Sequence, residues 1–203
     1  MKKTILCLSA LLLTGLAVNA QLTKVGGSLS YNTGYYYNLE SHPEKPKDHK
    51  TGNPVISLTG IYEISLPVHF KPSLNIYMPR ITKEDYFEGS SKRVISAFSL
   101  DLDGHYVFNS LDRFEFYGLA GANILWVKMK TKEEFPGSDS MTFSGNNTSL
   151  GLNLGVGSYF RLKDEFDLFF ELKAIIASQV RFAGTAGILL NVDWMKKHEN
   201  DEL

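Results

Sequence analysis

The sequence predicts an all-β fold: an eight-stranded antiparallel up-and-down transmembrane β-barrel. Three observations carry that expectation. Apolar and polar residues alternate in eight strand-like runs, the connections alternate short and long, and aromatic residues gather toward both ends of the runs. Period-two alternation marks a strand with one apolar and one polar face. The stretch TSLGLNLGVGSYFRL at 148–162 shows it well. Leu150, Leu152, Leu154, Val156 and Phe160 fall on one side, and Ser149, Gly151, Asn153, Gly155 and Gly157 on the other.

The remaining runs follow in order. The first, 23–32, sets Val25, Leu29 and Tyr31 against Lys24, Ser28, Ser30 and Asn32. The second, 55–64, opposes Ile56, Leu58, Tyr62 and Ile64 to Ser57, Thr59 and Glu63. In the third, 68–78, Val68, Phe70, Leu74, Ile76 and Met78 face away from His69, Lys71, Ser73, Asn75 and Tyr77. Pro72 is awkward there, because proline removes a ladder donor. The fourth, 94–107, separates Phe98, Leu100, Leu102 and Tyr106 from Ser99, Asp101, Asp103 and His105. The fifth, 114–127, is ambiguous: Glu115 and Asn123 put Phe116, Ala120, Ile124 and Trp126 on the apolar side, yet Tyr117, Leu119 and Leu125 blur the phase. The seventh, 166–176, opposes Leu168, Phe170, Leu172 and Ile176 to Asp167, Phe169, Glu171 and Lys173. The eighth, 185–194, opposes Ala186, Ile188, Leu190, Val192 and Trp194 to Thr185, Gly187, Asn191 and Asp193. Runs of about ten residues match a tilted strand crossing a bilayer.

Short links fall at 65–67, 108–113 and 161–165, and long polar links at 33–54, 79–93 and 128–147, with a shorter one at 177–184. Short periplasmic turns and longer external loops are the asymmetry of an outer-membrane barrel. Ahead of the barrel, residues 1–20 have the three parts of an export signal: Lys2 and Lys3, an apolar centre from Ile5 to Leu16, and the small-residue site Val18-Asn19-Ala20. The expected organisation is therefore a signal peptide at 1–20, a barrel at 21–194 and a polar periplasmic tail at 195–203. Cys7, the only cysteine, lies in the signal and not at its cleavage point, so neither a lipid anchor nor a disulfide is expected. Without Lys2 and Lys3 the basic residues fall from 21 to 19, against 22 acidic ones. That balance offers no footprint for nucleic acid.

The side chains decide which face looks inward. Gly and Ser enrich the polar side, which suits a tight interior, and Gly151, Gly155 and Gly157 would leave room for long charged side chains opposite. An eight-stranded barrel has space only for a side-chain core or one small ligand. Aromatics form two girdles: Tyr62, Phe70, Tyr106, Phe108, Phe114, Phe160 and Trp194 toward the short turns, and Tyr31, Tyr35, Tyr36, Tyr37 and Trp126 toward the long links. Such girdles mark membrane interfaces, and a soluble barrel has no reason to place them. The leucines are therefore expected to meet lipid.

The motifs YGLAGANI at 117–124, SLGLNLGVGSYFRL at 149–162, FFELKAII at 169–176 and AGILLNVDW at 186–194 resemble the small outer-membrane barrels of OmpA/OmpX type. In particular they are similar to the outer-membrane beta-barrel domain proteins, called porin family, of Bacteroidetes. The resemblance implies a bacterial outer-membrane location in contact with lipid and lipopolysaccharide. One departure is the polar MKKHENDEL after Trp194, where such barrels often stop on a terminal aromatic.

The inward set Lys71, Asp101, Asp103, His105, Glu115, Glu171 and Lys173 is expected to form a polar network that plugs the lumen, since each buried charge needs a partner. The other reading of the same set is a narrow path for small solutes. A lipid-modifying enzyme would need His and Ser at the lipid face or rim. His69 and His105 fall on the inner face, and neither has a serine two residues on, so no catalytic residue is expected. His42 and His49 lack a spaced ligand set for a metal, and no cofactor is implied. The loops, including Phe135-Pro136-Gly137, are candidates for an envelope or extracellular protein partner. The Asn200–Leu203 tetrapeptide and the Asn146-Asn147-Thr148-Ser149 sequons read as coincidence. Function is thus expected to be structural or interactive, with a narrow pore or a soluble periplasmic ligand-binding barrel as the alternatives.

Overall fold

The structure, a computed structural model, describes residues 21–33, 52–65, 67–86, 89–135 and 140–192. Eight strands follow one another: β1 (Gln21–Asn32), β2 (Asn53–Ser65), β3 (Val68–Tyr86), β4 (Gly89–Leu111), β5 (Phe114–Glu134), β6 (Met141–Arg161), β7 (Phe166–Ile176) and β8 (Val180–Asn191). Each pairs antiparallel with its neighbours in the chain, and β8 returns to β1 from Lys24↔Asn191 to Asn32↔Ala183. The ladder is closed. Closure is what lets strands cross hydrocarbon, because every backbone donor and acceptor at that depth then has an internal partner.

The two faces of the wall are opposite in character. Leu29, Leu58, Leu152 and Leu172 point outward and are 67%, 67%, 62% and 68% exposed, whereas Ser99, Asp103 and Asn153 are fully buried inside. A water-soluble particle would bury those leucines; here they form a continuous apolar exterior, and the soluble-barrel alternative is excluded. Outward-facing aromatics pair near both ends of that band. Tyr62 lies 6.5 Å from Phe70, and Phe114 4.6 Å from Phe160, toward the short turns. Phe98 stacks on Trp126 at 4.9 Å toward the other end. Tyr31 and Tyr106 are exposed on the same exterior. The expectations for residues 1–20, Tyr35–Tyr37, His42, His49, Pro136, Gly137, Trp194 and 195–203 lie outside the described residues.

The strands correct the boundaries expected from sequence. The links at 79–93 and 128–147 are not loops: β3 and β4 run on to Tyr86 and Gly89, and β5 and β6 to Glu134 and Met141. Polar residues there kept the period of two, but polarity hid it. Four strands of 19 to 23 residues thus stand beyond the rim set by β1, β2, β7 and β8, which have 11 to 13. The eighth strand also starts earlier than expected, at Val180, which turns most of the 177–184 link into wall.

Pro72 finds a place inside β3. The β2–β3 ladder runs through Thr59↔Ser73 and resumes at Tyr62↔Phe70, so the proline without a donor sits in the gap. Thr59 Oγ1 donates to the Pro72 carbonyl at 3.1 Å across it. The β4–β5 turn closes on two residues, Asp112 and Arg113, with Asp112 at φ +37°. Aspartate tolerates that left-handed conformation better than most side chains.

Candidate functional site: the lumen

Inward-facing side chains fill the barrel in three layers. At the short-turn end Ile61, Tyr117, Leu119, Tyr159, Phe169 and Leu189 form one apolar cluster. Toward the extended hairpins Val55, Tyr77, Ile95, Ala97, Leu125, Val127 and Met129 form another. Between them lies a charged layer. The ambiguity of the fifth run is thereby explained: Tyr117, Leu119 and Leu125 do point inward, because the lumen has its own apolar layers.

Lys173 on β7 is the hub of the charged layer. Its Nζ lies 2.6 Å from Asp101 Oδ2, 3.1 Å from Asp103 Oδ2 and 3.8 Å from Glu171 Oε1. Lys71 on β3 pairs with Glu171 across the barrel and sits 4.4 Å from the centroid of the Phe169 ring. Tyr117 Oη donates to Glu171 at 3.1 Å. The remaining carboxylate lone pairs are met by amides: Asn123 Nδ2 reaches Asp101 at 2.5 Å and Asn153 Nδ2 reaches Asp103 at 2.7 Å. Arg181 Nη2 in turn donates to Asn123 Oδ1 at 3.2 Å. Lys71 and Lys173 thus pair directly with Asp101, Asp103 and Glu171, while Arg181 joins through Asn123, and all six are nearly inaccessible. Ions out of water persist only with such direct pairing and added hydrogen bonds.

Five of the seven residues picked from the sequence meet in this layer: Lys71, Asp101, Asp103, Glu171 and Lys173. His105 lies at its edge, stacked on Tyr117 at 4.3 Å with Nδ1 2.7 Å from Tyr159 Oη. Glu115 does not belong to it. It sits at the short-turn mouth, partly exposed, with Arg161 3.9 Å away, because β5 leaves the barrel at Phe114. Sequence reasoning left out Asn123, Asn153, Arg181 and Tyr117, as well as Lys24, whose Nζ pairs with Asp167 at 2.6 Å. Arg181 keeps the period of two with Ala183 and Thr185, a signal overlooked because 177–184 read as a link. The glycines of β6 also serve differently than expected. A side chain at Gly157 would meet the Tyr117 ring, and one at Gly155 the backbone of Leu172 and Lys173. They admit an aromatic and a close strand, not charged side chains.

A cavity of about 20 Å³ is bordered by Ser28, Ser57, Lys71, Asp101, Glu171 and Lys173, which is room for about one water. A vestibule of about 410 Å³ opens at the short-turn mouth among Lys24, Glu63, His69, Glu115 and Arg161. No group of three or more His, Cys, Asp or Glu able to hold a metal occurs among the described residues.

A closed eight-stranded antiparallel wall, apolar outside and charged within, defines an outer-membrane β-barrel. The chain belongs to the outer membrane protein beta-barrel domain family, which matches residues 5–194. The protein is accordingly one of the bacterial outer membrane. Among solved structures it is similar to Neisserial surface protein A, with a TM-score of 0.52 and 13% identity over 84% of this chain and 97% of that one. It is also similar to Ail, the attachment invasion locus protein of Yersinia pestis (TM-score 0.47, 16% identity, 85% and 97% covered). A major outer membrane protein of Thermus thermophilus gives a TM-score of 0.49 at 12% identity, with 82% and 99% covered. At such identities the likeness concerns the fold alone. No curated protein matches the chain.

Proposed function

We propose that the protein is a non-conducting, non-enzymatic barrel of the small OmpA/OmpX type, with residues 1–20 as its export signal. In this reading the plugged stem anchors an extended sheet outside the cell, and the role is structural or interactive. The observation that carries the proposal is the stack of three inward side-chain layers, with a cavity of about 20 Å³ bordering the charged one. An ion would have to displace buried pairs and both apolar layers to pass. The sheet supports the interactive half of the role. β6 pairs with β7 only over Leu152–Arg161, so residues 141–151 have no strand on that side among the described residues. An unpaired strand edge can template an extended partner.

The test is conductance. Purified protein refolded into planar bilayers is expected to give no sustained, discrete openings under applied voltage. Such openings would replace this reading with that of a narrow pore for small solutes.

A further inference from the structure

The vestibule at the short-turn mouth measures about 410 Å³, within the range of about 300–1,000 Å³ that small-molecule pockets occupy. Its charged walls are sorted by sign. Glu63 on β2 and His69 on β3 are partners in register, and Glu115 stands near the start of β5. The cations that line the space, Lys24 and Arg161, stand on β1 and β6. Because the strands close in chain order, β2 to β5 form one arc of the mouth and β6 to β1 the other. The vestibule is therefore dipolar, with carboxylates along one arc and cations along the other.

Three of these groups lack the partners their chemistry calls for. His69 is only 4% exposed, yet neither Nδ1 nor Nε2 has a hydrogen-bond partner. A buried polar group left unpaired costs stability, so the fold gains nothing from placing an imidazole there. Glu63 is in no ion pair among the described residues. Arg161 approaches Glu115 at 3.9 Å, beyond hydrogen-bond length. Lys24, by contrast, is held by Asp167 at 2.6 Å. The Tyr159 ring links the two arcs, 6.3 Å from the His69 ring and 5.5 Å from Lys24 Nζ. The gap between imidazole and ammonium is thus on the scale of two or three extended residues, about 7–10 Å.

Opposite arcs call for opposite charges in one small molecule. An ammonium brings three N–H donors, enough for Glu63, Glu115 and an imidazole nitrogen. A carboxylate accepts the forked N–H groups of a guanidinium such as Arg161. No cluster able to hold a metal occurs among the described residues, which favours an organic cation on the acidic arc.

We propose that the vestibule binds a short zwitterionic peptide of two or three residues. Its ammonium lies on the arc of Glu63, His69 and Glu115, and its carboxylate on Arg161. The site goes beyond the plugged stem, since binding there requires no passage through the lumen.

The experiment titrates triglycine into the full chain refolded in detergent micelles and reads the heat of binding. N-acetyl-triglycine lacks the ammonium, and triglycine amide lacks the carboxylate. Triglycine is expected to bind one to one, and each capped form at least about tenfold more weakly, the effect of one lost charge-assisted contact. Glu63→Gln is expected to weaken triglycine to a similar degree and to leave N-acetyl-triglycine unchanged. Arg161→Gln should do the reverse, weakening triglycine and sparing triglycine amide. His69→Leu removes both unpartnered nitrogens, so it is expected to weaken triglycine without lowering the urea midpoint. A merely structural histidine would give the opposite result. No binding of triglycine at millimolar concentration, equal binding of the capped peptides, or unchanged affinity in both charge variants would overturn the proposal. Should a variant misfold, the capped peptides decide the matter on the parent chain alone. Failure here leaves the plug untouched, since conductance tests the plug separately.

Discussion

Glu171 shows how much one side chain holds in this lumen. It accepts from Lys71 and Tyr117 and stands 3.8 Å from Lys173. Glu171→Leu leaves Lys71 buried without its counter-charge, and a buried ion stripped of its partner costs about 3–5 kcal/mol. Urea unfolding in lipid vesicles is expected to show a loss of that order. Lys71→Met combined with Glu171→Leu removes both charges and should restore more than half of it, because a buried pair replaced by apolar side chains is often close to neutral. Glycine gives a second contrast. An added methyl at Gly157 meets the Tyr117 ring, which itself packs on Tyr159 and His105, whereas one at Gly118 meets nothing within 4 Å. Gly157→Val is expected to lower the urea midpoint markedly and Gly118→Ala to leave it unchanged.

At the scale of the strand, the period of two lets one element serve two solvents. Along β6 the leucines at 150, 152 and 154 face hydrocarbon, while Asn153 reaches Asp103 inside. Leu152→Arg places a charge on the lipid face, where the cost at mid-membrane is about 2–4 kcal/mol. Equilibrium unfolding in vesicles is expected to register it, and a value near zero would mean that this face is not in lipid. The same period continues past the bilayer in β3 through β6. There the outward positions mix lysine (Lys83, Lys92, Lys128, Lys130 and Lys132) with Ile81 and Val94, while Ile95, Val127 and Met129 are buried on the inward face. The strand does not end at the membrane; only its outer solvent changes. For this reason 79–93 and 128–147 read as loops from composition, although hydrogen bonding makes most of them strand.

Across the whole molecule, a narrow barrel must fill itself. Eight strands leave a lumen too small for a stable water column and too large to stay empty, and the chain fills it with two apolar clusters around a balanced ionic layer. The sequence by itself determined the strand count, the antiparallel order, the closed ring and the inside-out arrangement. Those follow from local alternation, connection length and the separation of Leu from Asp and Lys, all of which each short run carries alone. Tertiary structure decided the rest. Tyr117, Phe169 and Leu189 become one apolar cluster only because closure brings β5, β7 and β8 together. Glu115 drops out of the network because the depth at which β5 leaves the barrel is set by pairing. Lys83, Lys92 and Lys132 become one row because the register of three strands aligns them. Alternation tells each residue which side it faces, but only the stagger of the closed ladder fixes the height at which it meets the others.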